Sequence, residues 1–163
     1  MNTLELGGGD QPQYCKKYDN GVNLDSRKLD TVDIVHDLNK LPLPFPDGTF
    51  DKVYSQFAVE HISWRLIPDF WREVYRILKP GGRIFFITSN LRAQAQWLSR
   101  TKDWELKREN CMIFGDQNYG ENAHASSCSP EQYEQLLRDA GFKWVITYPL
   151  PYFITDLCVE AQK

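Results

Sequence analysis

Thr3-Leu4-Glu5-Leu6-Gly7-Gly8-Gly9 is a short apolar-alternating run that breaks into three consecutive glycines. A run of this length bounded by glycine predicts a strand ending in a tight turn, because glycine supplies positive φ without steric cost. The same punctuation recurs along the chain. Val22-Asn23-Leu24 ends at Asp25, Val32-Asp33-Ile34-Val35 ends near Asp37, Asp51 to Ser55 ends near Gln56, and Arg83 to Thr88 follows Pro80-Gly81-Gly82. Between such runs lie helical patterns. Leu66, Phe70, Val74, Ile77 and Leu78 share one face at three- and four-residue spacing, which predicts a helix over about 64–78. Ser129, Pro130 and Gln132 give a cap, a first-turn proline and a capping box for a second helix over 130–140, with Gly141 as its stop. Strands alternating with helices imply a mostly parallel sheet covered on both faces. Lys143–Tyr148 and Asp156–Ala161, joined by a short bend, predict a C-terminal antiparallel hairpin. Only residues 26–31 separate the second and third strands, too few for a crossover helix, so an extended connection is expected there.

The chain has 163 residues, and residues 1–163 read as a single domain. Charged residues are 25% and the net charge is −3, which disfavours a nucleic-acid binder driven by phosphate contacts. The longest apolar run, Ile84-Phe85-Phe86-Ile87, falls far short of the ~20 residues a bilayer needs, so no membrane span is expected. Neither a secretory signal nor paired CxxC spacing is present among the four cysteines. Reduced thiols in a cytoplasmic protein, with no metal site, are the expectation.

In open α/β sheets ligands bind beyond the carboxyl ends of the strands. The glycine triplet, Asp25 and Asp37 fall there in order, and Asp25 lies 16 positions past Gly9, placed for two ribose hydroxyls. An adenosine-containing ligand follows. A dinucleotide would want a third glycine and a phosphate-tolerant turn, whereas here Pro12 and Asp10 stand in the way. S-adenosylmethionine carries no phosphate and has a cationic sulfur, so the electrostatics favour it over a nicotinamide dinucleotide.

Four stretches resemble class I S-adenosylmethionine-dependent methyltransferases, in the small branch with the ubiquinone/menaquinone-type methyltransferase domain. They are Leu4 to Gly9, Leu41-Pro42-Leu43-Pro44-Phe45-Pro46-Asp47-Gly48-Thr49-Phe50-Asp51, Val59-Glu60-His61-Ile62, and Arg76-Ile77-Leu78-Lys79-Pro80-Gly81-Gly82. The resemblance implies a Rossmann-like α/β fold with a minimal N-terminus, since the family's N-terminal helices precede its first strand. It implies S-adenosylmethionine as cofactor, with Glu5, Gly7, Gly8 and Gly9 along its methionine part. Asp25 would meet the ribose, Asp37 and the backbone of Leu38 the adenine edge, and Gln56 the space between cofactor and acceptor. Gln11 replaces the third motif glycine.

Two histidines are the candidate catalytic residues. His61 reads as a general base or orienting group, or else as a histidine bonded to a neighbouring loop. His124 reads as an acceptor contact or as a solvated loop residue. Residues 91–128 read as an amphipathic helix plus loop, serving as a lid or acceptor-recognition segment. The expected reaction is in-line methyl transfer to a small-molecule, sugar or glycan acceptor. No Asn/Asp-Pro-Pro-aromatic element follows the fourth strand, where Ser55-Gln56-Phe57-Ala58 stands, which argues against nucleic-acid base chemistry. A non-catalytic methyltransferase-like partner subunit is the alternative, and homo-oligomerisation stays open.

Overall fold

The computed structural model describes residues 2–18, 21–151 and 153–163. Seven strands, β1 (Thr3–Leu6), β2 (Val22–Asp25), β3 (Ile34–Val35), β4 (Phe50–Gln56), β5 (Leu78–Ser89), β6 (Trp144–Leu150) and β7 (Phe153–Gln162), form one sheet. The order is β3-β2-β1-β4-β5-β7-β6. β1 to β5 are parallel, and β7 runs antiparallel to both β5 and β6. The mostly parallel sheet with its antiparallel C-terminal hairpin is therefore present. The order reverses between β1 and β4, which opens a crevice at their carboxyl ends.

The helices are α1 (Cys15–Tyr18), α2 (Ile67–Ile77), α3 (Leu91–Arg100), α4 (Leu106–Phe114) and α5 (Pro130–Asp139). α2 starts three residues later than its apolar spacing predicts. Ser63 carbonyl oxygen accepts from both Leu66 and Ile67 amides, so residues 63–66 form a turn instead. Its buried face, Phe70, Trp71, Val74 and Ile77, lies against the sheet. Trp71 stacks on Phe86 of β5 at 4.8 Å, and Tyr133 of α5 meets Phe86 edge-on at 5.3 Å. α5 has both halves of the predicted capping box, Ser129 and Gln132. The link from β2 to β3 is non-helical, as its length requires. Residues 91–128 hold two helices and a 3-10 turn at Gly120–Asn122.

The two motifs at 41–51 and 76–82 brace one another. Arg76 donates to Glu73, to Asp47 and to the carbonyls of Leu43 and Phe45. Lys79 Nζ sits 2.9 Å from both Asp51 carboxylate oxygens. The guanidinium draws the Glu73 carboxyl below its ordinary range. These contacts seat the loop entering β4.

Among the described residues no helix is long and apolar enough to cross a membrane. The four cysteines are free thiols.

Candidate active site

The glycine turn is built by contact as well as by backbone angle. Gly7 (φ +70°) and Gly9 (φ +57°) are both left-handed. A side chain at Gly7 would place its Cβ 2.3 Å from that of Ala58, so the turn can approach the end of β4 only as glycine. Glu5 holds the turn from behind. Its carboxylate oxygens accept the amides of Gln13, Tyr14 and Cys15, each at 2.8 Å, and so cap the short α1. Beside that carboxylate, burial pushes the Cys15 thiol up to about 12.

Asp25 ends β2 and is 6% exposed. Its Oδ2 accepts Gly9 N–H at 3.0 Å, and its Oδ1 accepts the Arg27 amide at 2.9 Å and Nε at 3.1 Å. Arg27 in turn lies over the Tyr119 ring, 4.6 Å from its centroid. At Asp37, Oδ1 accepts from Asn39 N–H. Asn39 fastens the far wall, donating to His61 carbonyl oxygen and accepting Ser63 N–H.

These groups enclose a cavity of about 390 Å³ beyond the ends of β1, β2 and β4. Gly7, Asp25, Asp37, Leu38 and His61 line it, with Tyr119–Ala123 and Ala125 as its cover. Of these, Gly7, Asp25, Asp37, Leu38 and His61 are the residues the sequence points to. Four positions fall elsewhere. Glu5 faces the α1 amides rather than the cavity, Gly8 and Gly9 shape the turn from outside the lining, and Gln56 ends β4 outside it. Phe57 (φ +51°) and Ala58 stand where Gln56 was expected. Arg27, Asn39 and Tyr119 were missed, because each reaches the cavity through a turn rather than a strand end.

A second cavity of about 260 Å³ adjoins the first, sharing Phe57, His61 and Asn122. His61 Nδ1 lies 3.0 Å from Ala123 carbonyl oxygen, and His124 Nδ1 lies 3.2 Å from that of Ile113. A carbonyl only accepts, so in each neutral ring Nδ1 carries the proton and Nε2 keeps a lone pair. The two rings are 5.2 Å apart. Burial, with His61 nearby, lowers the His124 pKa and keeps that ring neutral. Glu60 reaches the same cavity from the 3-10 turn Val59–His61. It is 2% exposed, its Oε2 accepts Thr88 Oγ1–H at 3.1 Å, and burial pushes its carboxyl up to about 7. Its backbone carbonyl accepts both Ala125 and Ser126 amides, which ties the cover to the end of β4. Among the described residues, no group of three or more His, Cys, Asp or Glu side chains is placed to hold a metal ion.

A parallel sheet with its strand order reversed between β1 and β4, glycine turn first and acidic β2 end second, defines a Rossmann-like nucleoside-binding α/β protein. The matching family model, described as a methyltransferase domain, covers residues 13–86. This match and the fold support a class I S-adenosylmethionine-dependent methyltransferase. It is 40% identical over 128 residues to a demethylmenaquinone methyltransferase of Listeria welshimeri, covering 72% of this chain and 51% of that protein. It is 30% identical over 137 residues to squalene methyltransferase 1 of Botryococcus braunii, covering 75% of this chain and 32% of that protein. The chain thus spans about a third to a half of the length of these curated relatives. A solved S-adenosylmethionine-dependent methyltransferase from Mesorhizobium loti shares the fold, with a TM-score of 0.71 and 17% identity over 99% of this chain and 90% of that one.

Proposed function

We propose that the chain is a S-adenosylmethionine-dependent methyltransferase acting by in-line displacement on a small acceptor, with sugars and glycans within that class. The observation that carries the reading is the pair of adjoining cavities with a common wall at Phe57, His61 and Asn122. One is a nucleoside-shaped crevice at the strand ends, and the other is a polar chamber beside it.

The residues of the first cavity suit that cofactor. Asp25, Asp37 and Glu121 line it against the guanidinium of Arg27 and the imidazole of His61, a balance that favours a cationic, phosphate-free nucleoside. Asp25 would hold the ribose hydroxyls once its Arg27 bonds rearrange, and Asp37 with the Leu38 backbone would meet the adenine edge. Gly7, Gly8 and Gly9 would let the turn lie against the methionine part, with Glu5 positioning that turn from behind. Gln56 would support it from the end of β4. Bound there, S-adenosylmethionine supplies an electrophilic methyl on a positively charged sulfur. The protein's work is alignment of the acceptor on that methyl, which turns an encounter into an oriented reaction. His61 and His124, each with Nε2 unprotonated, would take a proton from an acceptor that must lose one.

The relatives' names point to quinone-type and squalene acceptors. The polar lining of the second cavity favours a smaller, more polar compound for this chain. A non-catalytic, methyltransferase-like subunit is the second reading, favoured by the Arg27 bonds that already engage Asp25. Calorimetric titration with S-adenosylmethionine, S-adenosylhomocysteine and NAD separates the two. Binding of the first two and not the third is expected; binding of none leaves the subunit reading.

A further inference from the structure

The second cavity carries a charge imbalance that the methyltransferase reading does not use. Glu60, Asp116 and Asp156 line it, together with the two histidines, and among the described residues neither lysine nor arginine does. Glu60 is buried with a neutral hydroxyl, Thr88, as its side-chain partner. Asp156 enters from β7 and accepts a long 3.4 Å bond from the neighbouring Thr155 hydroxyl. Glu60 is buried, Asp156 half-buried and Asp116 exposed; a buried carboxylate without a counter-cation is costly, and a bound cation relieves that cost. An anionic acceptor would add to it.

We propose that this cavity receives the ammonium group of a small amine, so that methyl transfer goes to nitrogen. The proposal rests on the methyltransferase reading above and names its acceptor class. Glu60 and Asp156 flank the ammonium, and the shared wall at Phe57 and His61 is the side from which the methyl arrives. One proton passes from the ammonium to the Glu60 carboxylate. The freed nitrogen pair then forms the bond to the methyl carbon, while the carbon–sulfur bond breaks with its pair left on sulfur. The products are a methylated ammonium, S-adenosylhomocysteine and one proton, which leaves Glu60 for water. The groups facing Glu60 are Asp156 from β7, His61 on its own turn, His124 from the cover, Cys111 and Asp116 from the end of α4, and Tyr133 through Thr88. Burial raises both the Glu60 and the Asp156 carboxyls, so the cavity binds a cation better once they are ionised.

The test is calorimetry on protein saturated with S-adenosylhomocysteine, using benzylamine, benzyl alcohol and benzoate. Benzylamine should bind about tenfold more tightly than the alcohol, with benzoate weakest. Its affinity should rise as pH increases through about 7, where Glu60 ionises. Glu60→Gln keeps the Thr88 hydrogen bond and should abolish that rise; Asp156→Asn should weaken benzylamine about threefold or more. Equal affinity for the three compounds, a preference for benzoate, or no binding of any to the loaded protein overturns the amine assignment. Failure of S-adenosylhomocysteine itself to bind would overturn the methyltransferase reading instead, so the two failures are distinguishable.

Discussion

The amide of Gly9 donates to the Asp25 carboxylate at 3.0 Å, across 16 residues of chain. One acidic side chain thereby fixes the glycine turn with one oxygen and holds Arg27 with the other, at the wall of the cavity. Asp25→Ala removes both functions. Charge-assisted hydrogen bonds are worth about 1.5–3 kcal/mol, so S-adenosylmethionine affinity should drop by about tenfold to a hundredfold in calorimetry. Unchanged affinity would remove Asp25 from the cofactor site.

Glu5 sits behind the same turn with three amide donors on its carboxylate. Glu5→Ala should cost about 1–3 kcal/mol of folding stability, because buried donors lose their acceptor. Cofactor affinity should change far less than in Asp25→Ala. A larger loss of affinity than of stability would place Glu5 against the cofactor.

Gly7 has φ +70° and no room for a Cβ against Ala58. Gly7→Ala combines a left-handed backbone penalty of about 1–2 kcal/mol with a clash that displaces the end of β4. Both the melting temperature and cofactor binding should fall. A variant that melts like the wild type would show that the turn relaxes freely.

Glu60 also marks the pH dependence of stability. Its folded pKa is raised from 4.5 to about 7 by burial. The folded state therefore holds a proton that the unfolded chain has already released between these values. Its contribution is fully present below about pH 4.5 and is lost as pH rises to about 7, by about 3 kcal/mol at most. Denaturant midpoints across pH 4.5–7 should fall for the wild type and flatten in Glu60→Gln.

Tyr119 covers the first cavity from above, with Arg27 beneath its ring. Tyr119→Ala removes a cation–π contact worth about 0.5–1 kcal/mol at an exposed site. Stopped-flow release of S-adenosylmethionine should accelerate by about twofold to fivefold. An unchanged rate would mean that residues 119–125 do not gate the cavity.

What could be read along the chain was whatever local chemistry controls. The glycine turn, the capping box of α5, the apolar face of α2 and the short β2–β3 link each follow from spacing and side-chain type within a few residues. Asp25, Asp37 and Leu38 were legible too, because a parallel sheet sends every strand end to the same edge. The tertiary structure decided the rest. It turned Glu5 onto the amides of Gln13, Tyr14 and Cys15 at the start of α1, which needed an acceptor. Phe57 and Ala58 stand in place of Gln56 because the chain turns left-handed at Phe57, just past β4. Glu60 and Asp156 lie 96 positions apart, and their shared cavity exists only because β7 pairs beside β5. Such long-range juxtapositions are products of strand order, which no local pattern encodes.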